Sequence, residues 1–303
     1  MIPFLFLVML GVFAVVIVSV WRGQVEAEYK EESLYQTVRV ERRRQVRWMR
    51  FDSRGWHGAL HLGKPEKLLF PYQVAFLLFR GLLDDVRSFL AIGVGTGTAL
   101  ATVRRHFPQA WLFGVDIDPE VIRAAHKFFA CPDDERTQYF ALDGRRFVEG
   151  EGDETGALFD LVFLDAYADD HLPARLATVE FVQALKDRLT ERGVVCVNLI
   201  GSLKGRECTD VMRAWSTYRE VFRHVMLVPT TPFSRESQNV LLFATDAPLP
   251  TREELRQAVE RMEEMPRHKR RLRRMVQRLV FMPECPMDKK VPLTDEDVRL
   301  LRY

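Results

Sequence analysis

The chain has no surplus of charge of either sign: 44 Lys and Arg stand against 42 Asp and Glu, a formal net charge of +2. A polyanion-binding protein shows itself by a basic excess, so composition gives no argument for a nucleic-acid partner. Cysteine is scarce and scattered. Cys131, Cys196, Cys208 and Cys285 form no C-x-x-C pair and have no histidine at ligand spacing. They read as reduced thiols of a cytoplasmic domain, and neither a zinc site nor a disulfide framework is expected. There is no internal repeat and no low-complexity segment. What remains is ordinary globular composition, 47% hydrophobic and 28% charged over 303 residues, enough for one large domain or two modest ones.

Charge is also missing from Ile2 to Trp21, where Leu, Val, Ile and Phe dominate. About 20 apolar residues at ~1.5 Å each span roughly 30 Å, the thickness of a bilayer's hydrocarbon core. A cleaved signal peptide is the rival, but no basic residue precedes the run and no A-x-A site follows it. Residues 1–21 are therefore expected to be a transmembrane anchor. Arg22, Lys30, Arg39 and Arg42 to Arg44 all follow it, so the positive-inside tendency predicts a single-pass membrane protein with its catalytic domain facing the cytoplasm.

After the anchor, residues 22–34 read as a charged stalk, helical or extended. Residues 35–66 read as a small antiparallel β-domain of two or three strands, from the alternation of Val38, Val40, Val46 and Trp48 between charged turns. Residues 67–249 open with a helix from Pro71 to Leu83 and then alternate strand and helix, starting with Ser88–Ile92, Ala99–His106 and Trp111–Val115. That pattern predicts an α/β fold with a doubly wound, mostly parallel sheet, its faces covered by helices. His224–Val228 and Asn239–Ala244 are candidates for an edge pair. Residues 250–303 form a basic helical extension. Its run from His268 to Arg274 reads as the solvated face of an amphipathic helix, with a nucleic-acid or, better, an anionic-lipid patch as the alternative.

The chemistry is announced by Ile92-Gly93-Val94-Gly95-Thr96-Gly97, a buried strand entering a glycine turn before a helix. Glycines let the main chain pass close under a ligand, and the helix N-terminus offers free N–H groups. Alone, such a turn is weak. Its context strengthens it: Asp116 ends the next strand about 20 residues on, where a carboxylate can accept both ribose hydroxyls. Asp143-Gly144 ends the third strand, placed for an adenine amino group, and Asp165 ends the fourth, across from the turn. Asp118 reads as a helix cap. Residue 98 is Thr98, not the third glycine of a dinucleotide fingerprint, which disfavours NAD.

With these pieces in place the sequence resembles the spermidine synthase (polyamine aminopropyltransferase) family, within the class I methyltransferase-like Rossmann fold. The likeness runs from about Tyr35 to Ala244. It includes Tyr35-Gln36-x-Val38-x-Val40, Tyr72-Gln73 in place of a Tyr-His-Glu motif, and the glycine turn. Asp116-Ile117-Asp118, Asp143-Gly144 and Asp165-Ala166-Tyr167 followed by Pro173-x-x-Leu176 complete it. The resemblance implies that Gln36, Gly93, Gly95, Thr96, Gly97, Asp116, Asp143 and Gly144 hold S-adenosylmethionine or its decarboxylated form, without a metal. It implies that Tyr72, Gln73 and Tyr167 contact a small amine, that Asp165 is catalytic, and that the leading β-domain can form a homodimer.

The departures from that family bear on the reaction. The acidic slot of the turn is Thr96, and the second acid after the fourth strand is Ala168, with Asp169 one residue beyond as its expected substitute. Asp169 can equally belong to an exposed acidic turn with a solvent-facing His171. Two like charges a few ångströms apart cost about 4 kcal/mol at an effective dielectric near 20. A neutral Thr96 removes that repulsion against the carboxylate of S-adenosylmethionine. Three functions stay open: aminopropyl transfer to an amine in polyamine biosynthesis, methyl transfer, and a catalytically silent nucleoside-binding regulator.

Overall fold

Apolar alternation and apolar runs sort the chain into two sheets in the computed structural model, which describes residues 25–52, 57–152, 156–167, 172–205, 208–283 and 291–300. The first sheet is antiparallel, in the order β1 (Glu26–Glu32), β2 (Thr37–Arg43), β3 (Val46–Arg50) and β4 (Gly58–His61). Val38, Val40 and Met49 alternate onto one face and are fully buried against Val121, Ala124 and Phe129. That places the sheet on helix Pro119–Phe128, and Arg47 fixes it by donating to the Phe128 carbonyl at 2.6 Å.

The sheet has four strands where two or three were expected. The stretch read as a stalk supplies β1, whose sequence EAEYKEE carries no apolar alternation. Main-chain pairing to β2 holds it, and Tyr29 anchors it through its hydroxyl to Glu120. The fourth strand is short and begins with a buried glycine.

The second sheet has a parallel core of β5 (Ser88–Ile92), β6 (Trp111–Asp116), β7 (Thr137–Ala141), β8 (Phe159–Leu164) and β9 (Leu189–Gly201). The expected edge pair is present as β10 (His224–Pro229) and β11 (Gln238–Thr245). β11 lies antiparallel to β9, and β10 antiparallel to β11. The seven strands run in the order β10-β11-β9-β8-β5-β6-β7. One face buries Phe76, Phe79, Phe89 and Phe163, the other Phe147, Phe159, Phe181 and Tyr218. The chain builds outward from β5 to β7 and returns to place β8 on the other side of β5. In open α/β sheets that reversal leaves a crevice beyond the strand ends. The helix expected from Pro71 to Leu83 is α-helical over Pro71–Phe76 and tightens to a 3-10 turn at Leu77–Gly81.

The C-terminal extension packs here through helix Arg252–Arg261 on that turn and helix Pro266–Val276 on helix Pro71–Phe76. In the basic run, His268 and Leu272 are buried, while Arg270, Arg271, Arg273 and Arg274 are exposed, as an amphipathic helix requires. Glu264 locks the extension in place. Its carboxylate is only 4% exposed and meets His106 at 2.9 Å, His268 at 3.1 Å and Arg80 at 3.4 Å. Burial alone would raise its pKa, but the hydrogen bonds from His106 and His268, with Arg105, hold it well below the usual carboxylate range.

Glu264→Gln takes the carboxylate from the partly buried Arg80 and from two histidine hydrogen bonds, so it is expected to cost about 3 kcal/mol and to lower the melting temperature by roughly 5 °C or more. Because the folded-state pKa is depressed, this contribution is present above the unfolded carboxylate pKa and is lost as pH falls below it. A melting series on both proteins checks this: the difference between them should shrink below about pH 4.

The expected anchor over residues 1–21 lies outside the described residues. Among the described residues no helix is long and apolar enough to cross a membrane.

Candidate active site

The polar groups at the reversal crevice come mostly from strand ends and from the turns that follow them. β5 ends at Ile92 and passes through Gly93, Gly95 and Gly97 into helix Thr98–His106, and all three glycines have positive φ. Two are also required by contact. A Cβ on Gly93 would run into the Asp165 carbonyl, and one on Gly97 into the Cys131 sulfur. The turn therefore lies flat across the end of β8, with Thr98 and Ala99 at the start of the helix lining the crevice. The crevice encloses about 600 Å³, enough for a nucleoside-sized ligand and a small acceptor.

Asp116 ends β6 with its carboxylate clamped over the turn. One oxygen accepts from the Val94 N–H at 2.9 Å and the other from the Asp118 N–H at 3.1 Å. Each oxygen keeps lone-pair capacity for a ligand hydroxyl. Burial raises its pKa to about 6 against the lowering effect of those N–H groups. Asp118 caps helix Pro119–Phe128, accepting from the Glu120 N–H at 2.9 Å. It also accepts from Ser33 Oγ at 2.7 Å and from Gln36 Nε2 at 3.4 Å. Gln36 thus lines the crevice with its amide directed to Asp118, which ties the small sheet to the site.

Asp143 lines the crevice at the end of β7, but its carboxylate is already engaged. It caps helix Gly144–Val148 by accepting from the N–H groups of Arg145 at 3.0 Å and Arg146 at 3.1 Å. It also forms an ion pair with Arg175. Any adenine amino group would share this carboxylate with a guanidinium. Gly144 lets the helix start close to β5, since a Cβ there would meet Ile92.

Asp165 follows β8 at the reversal point. Asn198 Nδ2 donates to its Oδ1 at 2.8 Å, and Asn239 Nδ2 donates to Asn198 Oδ1 at 3.1 Å. The Tyr167 hydroxyl donates to the Asn198 carbonyl at 2.5 Å, and the Tyr72 hydroxyl stands against the Asp165 carboxylate. Burial raises the Asp165 pKa to about 6, opposed by its hydrogen bonds to Asn198 and Tyr72. Burial, then the Asp165 charge, pushes both tyrosines well above the usual phenol range, so they stay protonated. A carboxylate poised near pH 6 and oriented by an amide suits proton removal from a bound ammonium.

The crevice thus gathers Gln36, Tyr72, Gln73, Gly93, Gly95, Thr96, Asp116, Asp143, Gly144, Asp165 and Tyr167, whereas Gly97, expected to hold the donor, packs on Cys131. Asp169 lies outside the described residues, as do Ala168 and His171. Sequence reasoning missed Asn198 and Asn239, the polar chain behind Asp165, and Arg175, the partner of Asp143. The described residues contain no cluster of His, Cys, Asp and Glu able to hold a metal ion.

The family profile described as spermine/spermidine synthase domain matches residues 78–242. A polyamine aminopropyltransferase of Vibrio vulnificus is 25% identical over 245 residues, covering 78% of this chain and 78% of that protein. Other curated polyamine aminopropyltransferases are matched over 29% and 60% of their own length. A human eEF1A lysine and N-terminal methyltransferase is 27% identical over 127 residues, which is 39% of this chain and 18% of that protein. Among solved structures, a probable spermidine synthase from Corynebacterium glutamicum superposes with a TM-score of 0.68 at 19% identity. That superposition covers 78% of this chain and 88% of the other, and at this identity it speaks for the fold.

Proposed function

The chain belongs to the spermine/spermidine synthase family of transferases, and we propose that its crevice binds an adenosyl sulfonium donor and transfers the donor's alkyl chain to an amine. The observation that carries this reading is the Tyr72–Asp165–Asn198 arrangement in the crevice that Asp116 also lines. The fit of the donor rests on Asp116, whose oxygens retain acceptor capacity at a strand end, and on the volume of the crevice. Bound there, the donor supplies an electrophilic carbon on positively charged sulfur.

The residues of the chain do the rest. Most alkylamines are ammonium ions at pH 7 and cannot attack. Asp165 attracts the ammonium and takes one proton, and Asn198 keeps the carboxylate oriented while it does so. Tyr72 and Tyr167, both protonated, wall the acceptor side and keep bulk water from the carboxylate. In the decarboxylated-donor form this is aminopropyl transfer, the reaction of polyamine synthesis.

A second reading, methyl transfer from S-adenosylmethionine, is favoured by Thr96, a neutral residue where the family has an acid. The two differ in their nucleoside product. Incubating the full chain with each donor and a panel of amines, then resolving nucleosides by mass spectrometry, separates them. Amine-dependent 5′-methylthioadenosine is the expected result. Amine-dependent S-adenosylhomocysteine supports the second reading, and failure of both donors to turn over would sink both.

A further inference from the structure

One wall of the crevice has no part in holding the nucleoside or the base. It is made by Gln73 on helix Pro71–Phe76 and by Thr96, Thr98 and Thr102 at the start of helix Thr98–His106, which packs against it. Gln73 is 5% exposed. Its Oε1 accepts from the N–H groups of Leu69 and Phe70, each at 3.1 Å. Two main-chain donors on one atom fix the amide's orientation, because a flipped amide would set N–H against N–H. Nε2 is therefore held on the other side. Its polar neighbour is the Tyr72 hydroxyl, whose phenol pKa it lowers against the rise from burial, and the geometry of that contact falls short of a full hydrogen bond. A buried amide donor left without an acceptor is costly unless a ligand supplies one.

The threonines point the same way. Thr96 and Thr98 hydroxyls share one hydrogen bond at 2.9 Å, which uses one of their two hydrogens and leaves the other to donate outward. Thr102 donates to the Thr98 carbonyl at 2.7 Å, which steadies the first helical turn. That turn carries the positive end of the helix dipole and N–H groups with no intrahelical acceptor. Thr96 is pinned from behind by Gly58, where any Cβ would strike its side chain. Among the described residues that line the crevice, the carboxylates come from Asp52, Asp116, Asp143 and Asp165, none of them on this wall. Amide, hydroxyl and helix N-terminus all offer hydrogens. An ammonium would find only neutral hydroxyl oxygens to accept from it there, whereas a carboxylate would meet three kinds of donor.

We propose that this wall is a carboxylate subsite, so that the donor is intact S-adenosylmethionine and the group moved to the amine is 3-amino-3-carboxypropyl. The inference rests on the adenosyl-donor reading above and assigns what the far end of the donor carries. In the reaction, Asp165 takes a proton from the acceptor ammonium. The neutral nitrogen attacks the methylene carbon next to sulfur, the carbon–sulfur bond breaks, and its electron pair stays on sulfur as 5′-methylthioadenosine. The product is a secondary ammonium bearing an α-amino acid, and charge balances because the sulfonium charge passes to the new ammonium. The carboxylate is a spectator held by Gln73 and Thr96, with the Tyr72 hydroxyl standing between Gln73 and Asp165.

Calorimetric titration of the full chain with S-adenosylmethionine, its decarboxylated form and 5′-methylthioadenosine tests this, on the native protein and on Thr96→Asp and Gln73→Leu. The native protein is expected to bind S-adenosylmethionine at least about tenfold tighter than the decarboxylated donor. Thr96→Asp should reverse that order, and Gln73→Leu should weaken S-adenosylmethionine about tenfold, both with 5′-methylthioadenosine affinity retained. A native preference for the decarboxylated donor, or an order that Thr96→Asp leaves unchanged, overturns the carboxylate subsite while 5′-methylthioadenosine binding keeps the adenosyl reading. If 5′-methylthioadenosine also fails to bind, both readings fall. In turnover with S-adenosylmethionine, an acceptor gaining an aminocarboxypropyl group supports the proposal, and S-adenosylhomocysteine as the nucleoside product rules out the assigned transfer.

Discussion

Asp165→Asn is expected to lower kcat by about a thousandfold, within the range that a positioned general base contributes, without weakening the fold. The asparagine keeps the shape and can still accept the 2.8 Å bond from Asn198 Nδ2. The Tyr72 hydroxyl can rotate to accept from the new amide, so the contact between them is kept. What disappears is the ability to take a proton from the acceptor.

Stability should move the other way. Burial raises the folded-state pKa of Asp165 to about 6, above its ordinary value of 3.8, so the folded protein holds the proton more tightly than the unfolded chain. Stability therefore falls as pH rises from about 4 to 6 and the cost stays constant above that. The neutral Asp165→Asn variant escapes this cost, by at most about 3 kcal/mol at 1.36 kcal/mol per pKa unit. The same protonation shapes activity. Asp116 also titrates near 6, so log kcat/KM should fall below pH 6 with a slope approaching two, and the variant's residual activity should show a slope near one. A variant that keeps a tenth or more of native kcat removes Asp165 from the proton-transfer role.

Much of the main sheet could be read from the chain because parallel strands buried on both faces leave unbroken apolar runs. Phe89–Ile92, Leu161–Leu164 and Val194–Val197 are of that kind, and the Asp118 cap follows from an aspartate placed before a proline. The strand β1 left no such trace, since an exposed edge strand is held by main-chain bonds that its charged side chains do not report. Asn198 did leave a signal: a lone amide inside Val194-Val195-Cys196-Val197-Asn198-Leu199 has to find a buried partner. Its partner, Asp165, lies 33 residues earlier, just past the end of the neighbouring strand, and only the strand order pairs them.

Arg175 sits inside the Pro173-x-x-Leu176 stretch that marks the family likeness, yet its pairing with Asp143 depends on a fold-back that spacing alone does not encode. Asp143, read for adenine, carries the same local cue as Asp118, an aspartate just before a helix. Its capping role was legible on the same grounds. The donor wall was half visible: Thr96 stands out by family comparison, but the orphaned amide of Gln73 emerges only once Leu69 and Phe70 are seen to occupy its oxygen.

Asp116→Ala is expected to weaken nucleoside affinity by about a hundredfold or more, and unlike Asp165→Asn it should also destabilise the protein. The two carboxylates share a pKa near 6 and a place on the crevice floor, but they differ in what leans on them. Asp165 accepts from side chains that can turn. Asp116 accepts from the main-chain N–H groups of Val94 and Asp118, which are fixed by the glycine turn and by the entry to helix Pro119–Phe128. Alanine strands both N–H groups at roughly 1–3 kcal/mol each. Relief of the buried charge offsets at most about 3 kcal/mol of that, leaving a net loss of about 2 kcal/mol.

Binding loses more, because two hydrogen bonds from sugar hydroxyls to a carboxylate are worth about 1.5–3 kcal/mol apiece. Calorimetry with 5′-methylthioadenosine on folded protein, beside a melting curve, separates the two roles. Lost affinity with a modestly lowered melting temperature is the expected pair of results. A lowered melting temperature with affinity intact would mean that Asp116 holds the turn and the sugar is held elsewhere.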